Sequence, residues 1–63
     1  MLFDIANFYK NSEKYDDAIK YYTIIINNLD KNSEIKTDLL YRRGGSYERI
    51  NEYEKADEDL LNA

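Results

Sequence analysis

The stretch LLYRRGGSYERI, Leu39 to Ile50, sets two adjacent glycines, Gly44 and Gly45, in the middle of an otherwise helical run. Glycine is about 0.8–1.0 kcal/mol worse than alanine in a helix interior, so the pair costs roughly 2 kcal/mol. A domain of this size has only a few kcal/mol of net stability, at roughly 0.05–0.15 kcal/mol per residue. Something must require that backbone to be bare. The two glycines point about 100° apart around a helix, so one contact cannot account for both.

Around this stretch, 63 residues make one domain at most, near the lower limit for a core without disulfides, metal or association. Cysteine and histidine are both absent. That removes disulfide frameworks, Cys/His zinc sites and every catalytic set built on imidazole or thiolate, and the expectation is a non-enzymatic chain without cofactor or metal. The net charge of -4 opposes binding to nucleic-acid phosphates or to an anionic membrane, and makes a basic peptide the natural electrostatic partner. The opening MLFDIANFYK is interrupted by Asp4 and Lys10, so it holds neither a secretory apolar run nor a membrane span, and a cytoplasmic location is expected. Apolar content of 43% with no proline and 2 glycines favours an all-α fold.

The chain repeats at a spacing of 38. Leu2 falls over Leu40, Ala6 over Gly44, Tyr9 over Tyr47, Tyr15 over Tyr53, Ala18 over Ala56, Tyr22 over Leu60 and Ile25 over Ala63, while Ile5 over Arg43 breaks the pattern. Within each unit the spacing is helical: Leu2, Ile5, Ala6 and Tyr9 form one stripe, and Tyr15, Ala18, Ile19, Tyr22, Ile25, Ile26 and Leu29 form another. Between them KNSEK offers Asn11 as a left-handed C-cap and Ser12 as an N-cap, and RINEY offers Asn51 for the left-handed position. The spacing predicts helices near 2–11, 14–29, 34–50 and 53–63, antiparallel across short turns.

The residues YRRGGSYERINEYEKADEDLLNA resemble a tetratricopeptide repeat, with ANFYKNSEKYDDAIKYYTIII as a weaker second copy. The family's ordered positions map onto Leu40, Arg43–Gly44, Tyr47, Tyr53, Ala56, Leu60 and Ala63, and onto Leu2, Ile5–Ala6, Tyr9, Tyr15, Ala18, Tyr22 and Ile25. Arg43 stands where a leucine is expected, the first unit lacks the closing proline, and the spacing exceeds the usual 34. A longer helix around DKNSEIKTD would absorb the extra turn. The resemblance implies one domain over 1–63, with units of about 1–33 and 34–63, as two antiparallel helical hairpins stacked into a short right-handed α-solenoid. It implies a protein-interaction module that binds a peptide or partner helix in a concave groove.

On that pattern Gly44, like Ala6, lies where the two helices of a unit cross. Gly45 lies on the groove face with Asp38, Tyr41, Arg42, Glu48 and Arg49, and the first unit contributes Phe3, Asn7, Lys10 and Asn11. There a bare backbone either admits a ligand chain closely or is simply tolerated. Some members of the family grip a peptide's terminal carboxylate, but Phe3 and Arg42 depart from that set, so this specificity is not expected.

RRGGSYE lacks the lysine of a phosphate loop and sits within a helix. Arg42, Arg43 and Arg49 are interleaved with Asp38, Glu48 and Glu52 and read as solvated surface rather than a nucleic-acid patch. The carboxylates of YDDA and YEKADEDL read as a charged outer face, and the 7 tyrosines as core, with Tyr41 the exception that lines the groove. Two units are fewer than such arrays need, and Leu60, Leu61, Ala63, Phe3 and Tyr22 are expected at open ends. Either the chain belongs to a longer array or it covers these ends by self-association; both are expected, with a homodimer as the specific form.

Overall fold

A computed structural model describes residues 2–30 and 33–63. These residues form helices α1 (Leu2–Asn11), α2 (Tyr15–Asn27), α3 (Glu34–Arg49) and α4 (Tyr53–Asn62), with no strand among them. All four expected helices are present. Packing is sequential: α1 lies on α2, α2 on α3 and α3 on α4.

The two short turns have one design. In the first, Glu13 N–H donates to the Lys10 carbonyl (3.1 Å) and Lys14 N–H to the Tyr9 carbonyl (2.8 Å). In the second, Asn51 N–H donates to Glu48 (3.1 Å) and Glu52 N–H to Tyr47 (2.9 Å). Both are Schellman caps, which require a left-handed residue just past the helix end. Glu13 (φ 64°) and Asn51 (φ 66°) supply it. Asn51 thus takes its expected place, whereas Asn11 does not: it is the last helical residue of α1, and Glu13 holds the left-handed position. Nor is Ser12 an N-cap, because α2 starts after Lys14 without any side-chain cap bond.

The contiguous apolar core consists of Ala6 from α1, Ala18, Tyr22 and Ile26 from α2, and Leu39 and Leu40 from α3, with Phe3, Tyr9, Tyr21, Ile25 and Leu29 packed against it. Helix α2 carries the run Thr23-Ile24-Ile25-Ile26, whose β-branched side chains lower helix propensity, so burial of Tyr22 and Ile26 sustains it. Tyr22 is fully buried and Phe3 is packed, so neither lies at an open end; Tyr53 and Tyr41, by contrast, are exposed. At about 1.5 Å per residue α3 is roughly 24 Å long against about 15 Å for α4. Its first turns, beginning at Glu34, take up part of the extra length expected around DKNSEIKTD; Lys31 and Asn32 of that stretch lie outside the described residues.

Helix α4 buries only Ala56 and Asp59. Ala56 and Leu60 lie over Gly44, where an added Cβ would sit 3.1 Å from Leu60 Cγ and Cδ2 and 3.3 Å from the Ala56 carbonyl oxygen. Gly44 is therefore bare because α4 crosses there. Its counterpart Ala6 is buried too, as is Ala18, the counterpart of Ala56. Ile5 and Arg43, the pair that broke the repeat, exchange environments: Ile5 is exposed and Arg43 is half-buried.

Arg43 is not solvated surface. Its Nε donates to Asp59 Oδ2 and its Nη2 to Asp59 Oδ1, both at 2.7 Å, and Nη1 donates to Thr23 Oγ1 at 3.1 Å. Asp59, 5% exposed, departs from the expected outer face of α4, while Glu54, Asp57 and Glu58 do lie outside. The planar guanidinium matches the carboxylate in a two-bond fork. Hydrogen bonding to Asp59 raises the Arg43 pKa above its ordinary value, against the opposing effect of burial. Arg43 thus ties α3 to both α2 and α4.

Candidate functional site

The end of α1, the following turn and the middle of α3 enclose an open cleft of about 550 Å³. Helix α1 contributes Lys10 and Asn11, the turn Glu13, α2 Tyr15, α3 Tyr41, Arg42, Gly45, Glu48 and Arg49, and α4 Leu60. Lys10, Asn11, Tyr41, Arg42, Gly45, Glu48 and Arg49 were expected from the sequence to share a face, and the fold brings them together. Residues at i, i+1, i+4, i+7 and i+8 of α3, from Tyr41 to Arg49, form one helical stripe, which is why spacing alone collected them.

Phe3, Asn7 and Asp38 do not line the cleft. They meet instead at Arg42. Its Nε donates to Asp38 Oδ2 at 3.0 Å, its Nη1 donates to Asn7 Oδ1 at 3.2 Å, and the guanidinium carbon lies 5.5 Å from the centre of the Phe3 ring. The Tyr22 hydroxyl also donates to Asn7 Oδ1. Arg42, more exposed than Arg43, is thus not free surface either: it links α1 to α3 beside the cleft, and Tyr22 of α2 joins through the shared Asn7 Oδ1. The hydrogen bond to Asp38 is the main cause of the raised Arg42 pKa, and burial raises that of Tyr22, partly offset by the nearby Arg42 charge. Arg49 is the one arginine of the three that is exposed.

Gly45 differs from its neighbour. An added Cβ would meet nothing within 4 Å, so no protein contact requires the bare backbone. Tyr41 stands 65% exposed on the same stripe. A shallower extension of the cleft runs past Gly45, Glu48 and Arg49 to Tyr53. The lining combines Lys10, Arg42 and Arg49 with Glu13 and Glu48, so its charge is mixed and differs in balance from the whole-chain value of -4. That mixture does not single out a basic ligand.

No known protein family, curated protein or solved structure matches this chain. Among the described residues no group of carboxylates is placed to hold a metal ion, and no helix is long and apolar enough to cross a membrane. A second cleft of about 440 Å³ lies beside the Arg43–Asp59 pair, between the overhanging start of α3 and the end of α4. Glu13, Tyr15 and Leu60 were missed as cleft residues. Glu13 comes from the turn, Tyr15 from the first position of α2 and Leu60 from α4, so no periodic signal links them to α3.

Proposed function

We propose that this chain is a non-enzymatic protein-interaction module of tetratricopeptide type, two antiparallel hairpins stacked as a short right-handed solenoid, acting in the cytoplasm without cofactor or metal. It binds an extended peptide or a partner helix in the cleft between α1 and α3. The observation that supports this most is Gly45. A glycine that costs about 1 kcal/mol in a helix interior and packs against nothing is accounted for by a ligand backbone that must come close. Tyr41 offers a flat apolar surface beside it, and the charges of mixed sign suit a peptide carrying both acidic and basic residues.

Peptides selected from a random library on the native chain provide the test. Their affinity, measured by calorimetry, should fall at least tenfold for Gly45→Leu while its melting temperature stays at or above that of the native chain. Equal affinity for both proteins would remove the cleft from consideration.

One further observation favours a second reading, self-association as a homodimer or as part of a longer array. Leu2, Ile5 and Phe8 form an exposed ridge on α1, and Leu61 on α4 is 85% exposed. Light scattering over a dilution series distinguishes the two, and a monomer at all concentrations would rule out the homodimer.

A further inference from the structure

We propose that α4 is an exchangeable helix: a second copy of this chain seats its own α4 on α3 in place of the resident one. This gives the self-association reading a specific route and rests on that reading. The contiguous apolar core is made by α1, α2 and α3 alone and contains no residue of α4. Helix α4 is held on α3 by the seat of Ala56 and Leu60 over Gly44, by the fork between Asp59 and Arg43, and by Lys55 over the Tyr47 ring. The seat is also selective, because a bidentate arginine accepts a carboxylate at one place and in one orientation. An α4 from another copy presents Ala56, Asp59 and Leu60 at the same spacing and fits identically.

The hinge permits the exchange. Only residues 50–52 separate α3 from α4, and the reversal depends on Asn51 holding the left-handed conformation. From Ser46 to Ala63 there is neither glycine nor proline, so a straightened hinge continues α3 into α4 as one helix. Short hinge loops under strain favour such swapping.

Charge reversal tests this in the full chain. Arg43→Asp leaves two carboxylates at the seat, and Asp59→Arg leaves two guanidinium groups, so neither variant can form the fork alone. Refolded together at equal concentration, the two complement each other only by exchanging α4. The expected result is a 1:1 heterodimer of about twice the 7.5 kDa chain mass that melts close to the native chain, while each variant alone melts lower. Carrying both substitutions in one chain restores the fork internally and serves as the folding control. A mixture that melts as the sum of its components, with no heterodimer in native mass spectrometry, overturns the proposal.

The hinge gives a second measurement with the fork intact. Asn51→Val penalises the left-handed α3–α4 turn, which exchange relieves in each of the two copies, and should tighten dimerisation at least tenfold, whereas Asn51→Gly should weaken it. A dimer indifferent to both substitutions would overturn exchange and leave self-association through another face standing. Monomers in every sample would end both readings.

Discussion

Replacing each glycine of the pair by alanine, one at a time, separates their roles. At Gly45 the new methyl meets nothing within 4 Å, so the substitution changes only the intrinsic cost of the helix. Alanine recovers about 0.8–1.0 kcal/mol, which for a domain this small raises the melting temperature by roughly 4–8 °C. At Gly44 the same gain is opposed by contacts at 3.1 Å with Leu60 and 3.3 Å with the Ala56 carbonyl oxygen. The leucine side chain can turn aside, but the carbonyl belongs to a helix pinned by two bonds of 2.7 Å from Arg43 to Asp59. Overpacking of this kind costs about 1–3 kcal/mol, so the net effect of Gly44→Ala is a loss of about 1 kcal/mol. Thermal melts followed by circular dichroism, with urea titrations to check that the slope is unchanged, read both values. A Gly45→Ala protein less stable than the native chain, or a Gly44→Ala protein as stable as Gly45→Ala, would refute the assignment of the two faces.

Asp59→Ala leaves the half-buried Arg43 guanidinium without its carboxylate and should cost about 2–3 kcal/mol in urea unfolding, whereas Arg43→Met with Asp59→Leu should stay within about 1 kcal/mol of the native chain. If the single and double replacements cost the same, the ion pair does not anchor α4. Glu13→Gly relieves a left-handed residue and should raise stability by about 1 kcal/mol, read as a higher urea midpoint. Burial raises the Tyr22 pKa above 10.0, so the folded state keeps a proton that the unfolded chain releases. That contribution is complete below the unfolded value and is lost as pH rises through the folded one. Urea melts from about pH 8 to about pH 11 should show stability falling more steeply above pH 10 in the native chain than in Tyr22→Phe. Equal slopes would place the loss elsewhere.

The helices and the α3 stripe were legible because both depend on side-chain period, which a sequence displays directly. Gly44 was legible for a related reason: its counterpart Ala6 and the opposing Ala56 are also small, so the crossing repeats in the sequence. The roles of Arg42 and Arg43 were not. A half-buried arginine and a surface arginine look alike in a charged run, and Asp59 is distinguished from Glu58 only by which side of α4 faces α3. The turn residue Glu13 was hidden because asparagine is the usual left-handed residue, and Asn11 stood two positions away. Cleft residues from several elements were hidden because no spacing joins them.

The cleft between α1 and α3 is tested most directly by nuclear magnetic resonance of the labelled chain titrated with a library-selected peptide. Amide shifts should concentrate at Lys10, Asn11, Glu13, Tyr41, Gly45, Glu48 and Arg49 and should disappear from the titration of Gly45→Leu. Shifts confined to the outer faces of α2 and α4, with Gly45 unmoved at saturation, would contradict the proposed binding surface.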